Sequence, residues 1–220
     1  MNPIDIPFLI DFTSLQFDHA VIFVIAALTA ITVNAEAQAF MATALGDVNR
    51  ESKERFHFNP LLHIHPAGLI CFAVAGFGWP KQMKVRDDRL GHPYFFMVMI
   101  RFAGAFANLL LAGIAGSILW IMTRWNVEDQ VFPIVVAVNI MVFVFNFIPL
   151  PPLAGASLLF GLLPKRIRYS SVSKQINTLF PYLLVMAITV AEITEPGEWV
   201  LLKESLHQVV KSIFNFISGF

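Results

Sequence analysis

Charge is what this chain has least of. Asp, Glu, Lys and Arg make up only 14% of its residues, and fifteen acidic side chains balance fifteen basic ones to a formal net charge of zero. With no clustered basic patch, that balance gives no support for a nucleic-acid partner. Cysteine is equally scarce: Cys71 stands alone within an apolar run. It has no partner for an internal disulfide, and nothing near it in sequence would activate a thiol. The first ten residues lack a basic n-region and a small-residue cleavage site before an apolar run, so no cleavable signal peptide is expected and the first membrane helix directs insertion. Hydrophobic residues fill the space that charge leaves, at 57% of the chain with a mean hydropathy of +0.69. This excludes an ordinary soluble domain and predicts an all-α polytopic membrane protein forming one domain over residues 1–220.

About 20 mostly apolar residues are needed to cross the hydrocarbon core. By that measure the chain, after an N-terminal extension over 1–18, holds about five or six membrane segments. The first runs from about His19 to Leu45. The second, Asn59 to Trp79, opens on Asn-Pro and contains Pro66, Gly68, Gly76 and Gly78, which predicts a re-entrant hairpin or broken helix. The third spans about Pro93 to Arg124. The fourth, about Phe132 to Leu163, must break at Pro149-Leu150-Pro151-Pro152, because proline removes backbone donors and clashes with the preceding turn. The fifth is about Ile176 to Ile193. The segment 200–220 has apolar residues at helical spacing, including Leu202, Leu206, Val209, Ile213 and Ile217, with Lys203, Glu204, His207 and Lys211 opposite. It reads equally as an interfacial amphipathic helix or a polar sixth span.

The charges orient these segments. If the second region returns to its starting face, the loops 47–58, 81–92 and 165–174 collect most of the lysines and arginines on one side, and Asp5, Asp11, Glu128, Asp129, Glu192, Glu195 and Glu198 lie on the other. The positive-inside rule then places the basic loops in the cytoplasm of a bacterial inner membrane.

Within the first segment, Asn34-Ala35-Glu36-Ala37-Gln38 precedes Leu45-Gly46-Asp47. A zinc-protease helix carries His-Glu-x-x-His, with two imidazoles on one face and a glutamate to activate metal-bound water. Those positions are Asn34, Ala35 and Gln38 here. Glu36 lies roughly 200° around the helix from Asn34, on the opposite face.

Further strings follow in order: Asn59-Pro60-Leu61-Leu62-His63-Ile64-His65-Pro66-Ala67-Gly68, Phe77-Gly78-Trp79-Pro80-Lys81, Ala103-Gly104-Ala105-Phe106-Ala107-Asn108, and Asn146-Phe147-Ile148-Pro149-Leu150-Pro151-Pro152-Leu153-Ala154-Gly155. Together with the first string, from Ala20 to Phe220, these resemble the compact bacterial branch of the site-2 protease family. His65 stands where that family usually has aspartate, and the proline of Ala-Gly-Pro-x-x-Asn is lost. The resemblance implies a site-2 protease-like helical bundle. It also implies that Ala154 occupies the position of the third zinc ligand, so that ligands and general base are replaced together.

On that reading the chain is expected to have no catalytic residues, no metal and no cofactor. It is not an enzyme but an inactive homologue, an accessory subunit that binds transmembrane helices of other membrane proteins within the bilayer. Two alternatives remain: an intramembrane zinc protease with an unconventional site that binds zinc through His57, His63 or His65 and a carboxylate such as Glu36, or a regulator that sequesters substrates of an active paralogue. Asn34 and Gln38 form either a repurposed polar pocket or the residue of a lost site. Glu36, Arg101, Asn108 and Asn146 are candidate intramembrane polar or partner contacts, since polar groups within spans are costly unless paired or functional. Glu36 and Arg101 pair with one another or meet other partners, and Arg101 can also snorkel to the cytoplasmic face.

Overall fold

A computed structural model of the chain describes residues 17–48, 56–163, 171–194 and 200–219. The first helix, α1 (Phe17–Ala44), is apolar along its length and ends where glycine permits it. Gly46 sits at φ +110°, and the Asp47 N–H reaches back to the Ala42 carbonyl at 3.0 Å. That left-handed closure is cheap only for glycine.

The stretch from Asn59 to Trp79 forms no continuous helix. The Asn59 side chain caps α2 (Pro60–His63) by accepting the Leu61 N–H, and Pro60 takes the first-turn position where its missing N–H costs nothing. A second helix, α3 (Pro66–Ala75), again starts on proline and stops at Gly76, φ 75°. The chain then doubles back, so that Ile64 bridges Pro80 and the Lys81 N–H donates to the His63 carbonyl at 2.7 Å.

Next come α4 (Pro93–Arg124), the break-flanking pair α5 (Val131–Phe145) and α6 (Ala156–Leu162), then α7 (Ser171–Thr194) and α8 (Val200–Ser218). Antiparallel α1 and α4 pack against α5. The helix α8 lies against α4 and α5, and α3 meets α7. Gly104 lets α4 approach α1 at Asn34, while Ala26, Ala27 and Ala30 of α1 pack with Ile134, Val138 and Val142 of α5. Bulkier side chains fill the main core, where Phe77 stacks on Phe145 with ring centroids 3.7 Å apart, among Trp79, Leu153, Val210 and Phe214.

Two helices, α1 and α4, are long and apolar enough to span a bilayer. At about 1.5 Å per residue each exceeds the roughly 30 Å hydrocarbon thickness. The outer face of α4 is apolar as well: Phe106, Leu110, Ile114 and Ile118 form an exposed stripe at i+4 spacing. Such a face is unfavourable in water and suits lipid, in keeping with a membrane protein that is helical throughout its described regular structure.

Both ends of the bundle are tied. At one, His19 Nε2 lies 3.0 Å from Gln130 Oε1. At the other, Asp47 accepts the Arg86 N–H, Arg89 donates to the Val48 carbonyl, and Leu90 packs with Ala42 and Ile100. The described basic residues Lys81, Lys84, Arg86 and Arg89 therefore share the end where α1 finishes and α4 starts. The loops 49–55 and 164–170, which hold other basic residues, lie outside the described residues.

Candidate functional site

Three helices, α1, α4 and α5, share a chain of buried side-chain amides. Asn34 Nδ2 donates to Asn108 Oδ1 at 2.7 Å, and Gln38 Nε2 donates to Asn34 Oδ1 at 2.7 Å. Arg101 donates from a terminal guanidinium nitrogen to Gln38 Oε1 at 3.1 Å. Asn108 uses its amide nitrogen twice, on the Ala30 carbonyl at 3.0 Å and on Asn139 Oδ1 at 2.8 Å. Asn139 completes the series by donating to the Val135 carbonyl of its own helix at 2.8 Å. The result is one continuous hydrogen-bond chain from α4 through α1 and back through α4 to α5.

Asn146 works at a different place. It donates to the Val142 carbonyl at 2.6 Å and accepts the Ala154 N–H at 3.1 Å, pinning the proline-interrupted loop to the end of α5. Ala154 is buried, and its carbonyl accepts from the Ser157 hydroxyl at 2.6 Å.

Glu36 faces away from this chain. Its Oε1 accepts the His57 N–H at 2.8 Å and lies 3.0 Å from His63 Nε2, so the carboxylate staples the segment before α2 onto α1. His63 Nε2 is also 2.6 Å from the His57 carbonyl. Both neighbours are acceptors, which places the imidazole proton on Nε2. The second carboxylate oxygen is buried without a hydrogen-bond partner among the described residues. Glu36 and Arg101 thus do not pair: one meets the histidine segment and the other meets Gln38. Nor do the three histidines converge, since His65 turns to Trp79 and Tyr182, with ring centroids 6.4 and 5.6 Å away. Among the described residues, no three His, Cys, Asp or Glu side chains are grouped to hold a metal.

Between α1, the His57–His63 segment and the chain after Pro80 lies a cavity of about 580 Å³, within the usual range for ligand sites. Ala35, Gln38 and Ala39 form its α1 wall, Leu62 and His63 another, and Lys81 to Lys84 a third, with His57 at the edge. Gln82 anchors the third wall by donating to the Pro152 carbonyl at 3.2 Å.

The chain is 33% identical over 154 residues to "Putative zinc metalloprotease YwhC" of Bacillus subtilis (strain 168), an alignment covering 66% of this chain and 70% of that protein. The chain belongs to that zinc metalloprotease family. The match is consistent with the site-2 protease-like resemblance of the motifs. It also corrects the expectation that the chain is not an enzyme, because a relative at this identity named as a zinc metalloprotease points to one. No protein-family profile matches the chain. No solved structure matches it significantly.

The family's metal does not fit the residues that stand at its expected positions. Both polar atoms of Asn34 and of Gln38 are engaged in the amide chain, while Ala35 and Ala154 offer no side-chain donor atom. Neutral amides are poor ligands beside imidazole and carboxylate. The Arg101 guanidinium, bonded to Gln38, adds a fixed positive charge where a dication would have to settle.

Two participants escaped the sequence reading. Asn139, buried in the otherwise apolar α5, ends the amide chain, and a polar residue within an apolar helix was a usable signal. Lys81 to Lys84 as a cavity wall had no such signal, since their position depends on the return of the chain at Pro80.

Proposed function

We propose that this member of the zinc metalloprotease family holds a membrane-embedded segment of another protein in the cavity beside α1, as a subunit of a larger assembly in a bacterial inner membrane. The observation that carries this reading is the cavity itself. It opens beside the α1 face bearing Ala35, Gln38 and Ala39, and it mixes methyl and thioether surface with amide, imidazole and ammonium groups. A polypeptide presents both kinds of surface, with apolar side chains and backbone donors and acceptors.

In this arrangement the chain crosses the membrane through five or six segments. The α2–α3 region is a hairpin that returns to the cytoplasmic side with the basic loops, and α8 packs on α4 and α5. The shared end of Lys81, Lys84, Arg86 and Arg89 with the close of α1 supports this orientation.

The test is purification of the tagged, full-length chain in mild detergent with every co-eluting chain identified by mass. A partner present in stoichiometric amount is expected, and a chain that elutes alone would overturn the reading.

A further inference from the structure

Among the described residues, the cavity's basic wall has no ion-paired counter-charge. Lys81 and Lys84 are both exposed, and among the described residues neither ammonium makes an ion pair, whereas Arg86 in the same stretch lies 3.6 Å from Asp88. The Glu36 carboxylate, whose partners His57 and His63 line the cavity, is turned to the His57 N–H and His63 and is itself buried, and Asp47 accepts the Arg86 N–H. The opposite wall places the methyl groups of Ala35 and Ala39 beside Gln38, whose polar atoms are already engaged in the amide chain. A single occupant that satisfies both walls is amphiphilic, with apolar side chains against α1 and a negative group beside the lysines.

We infer that the segment bound in this cavity carries a carboxylate, an aspartate or glutamate at the cytoplasmic boundary of its apolar stretch, which pairs with Lys81 and Lys84. This rests on the proposed function and specifies its partner. A phospholipid would offer a phosphate to the same lysines, but its acyl chain has no donor or acceptor for the exposed Gln82 and His57. A polypeptide backbone has both. Charge pairing of this kind at an aqueous boundary is short-ranged and weakened by salt.

The experiment uses the full chain in phosphatidylcholine nanodiscs and three synthetic apolar helices of about 20 residues, the length that spans the core. They end at one boundary in Asp-Glu, Asn-Gln or Lys-Lys, and binding is followed by fluorescence. The acidic peptide is expected to bind about tenfold more tightly than the amide peptide, the order of two partly exposed ion pairs. That preference should vanish in the Lys81→Gln/Lys84→Gln variant and shrink in high salt. Equal binding of acidic and amide peptides would overturn this inference and leave the proposed function standing. No binding of any peptide would overturn both. Displacement of the acidic peptide by phosphatidylglycerol, with lipid binding that itself depends on the lysines, would assign the wall to a lipid headgroup and overturn the inference.

Discussion

Arg101 sets the direction of the amide chain. A guanidinium can only donate, so Gln38 must present its oxygen to it and its nitrogen to Asn34, and the same order passes through Asn108 to Asn139. Hydrogen bonds aligned head to tail polarise one another, and in a low dielectric an unpaired member is costly. Asn108→Leu, which removes three of these bonds, is expected to destabilise the protein by about 2–6 kcal/mol, given roughly 0.6–2 kcal/mol per interhelical contact. Asn108→Asp should cost more at neutral pH, because a carboxylate would then face the Ala30 carbonyl and Asn139 Oδ1 with no hydrogen to offer either. Unfolding by denaturing detergent, read for both variants against the parent, checks the order. Equal losses would mean that the donor direction has no energetic weight. Asn34 and Gln38 were legible in sequence as polar residues on one face of α1, because they sit four residues apart in an apolar helix. The partners of Glu36 were not, since His57 and His63 reach it only after the chain has left α1 and come back.

Among the elements, α4 is the one on which the packing turns. A Cβ built on Gly104 would fall 2.7 Å from Asn34 Cγ and 2.8 Å from the Asn34 carbonyl oxygen, while one on Gly113 meets nothing within 4 Å. Gly104→Ala therefore has to push α1 away from α4 and disturb the amide chain at its centre. Overpacking of that kind costs roughly 1–3 kcal/mol. Gly113→Ala should be neutral or stabilising by up to about 1 kcal/mol, from helix propensity alone. The two substitutions are chemically identical on one helix, so a comparison of their unfolding midpoints isolates close packing, and similar midpoints would contradict the described approach. Sequence showed the limits of α4 clearly, since Pro93 opens it and an unbroken apolar run follows. It also showed the interruption at Pro149–Pro152, which separates α5 from α6. Neither pattern revealed which small residues meet, because helix-to-helix register depends on contacts between distant parts of the chain.

For the whole molecule, the account rests on one end of the bundle being cytoplasmic and on the cavity at that end being occupied by a partner. Cys71 is fully buried, so the native chain should resist a membrane-impermeant maleimide. In a Cys71→Ser background, Glu128→Cys should label from outside intact cells and Lys84→Cys only after the inner membrane is opened. The reverse pattern would invert the topology. Composition alone was enough to indicate a helical membrane protein. The cavity was beyond it, because its walls come from α1, the His57–His63 segment and Lys81–Lys84, which are brought together only by the return of the chain at Pro80. The most direct test of the central claim is site-specific photocrosslinking in the native membrane, followed by mild-detergent purification and mass identification. A photoreactive residue replaces Leu62 on the cavity wall or, as a control, Leu110 on the exposed face of α4. The account predicts a near-complete crosslink from position 62 to the membrane-embedded segment of one stoichiometric partner, and none to that segment from position 110. Crosslinks from position 62 to lipid alone, or a chain that elutes by itself, would contradict it.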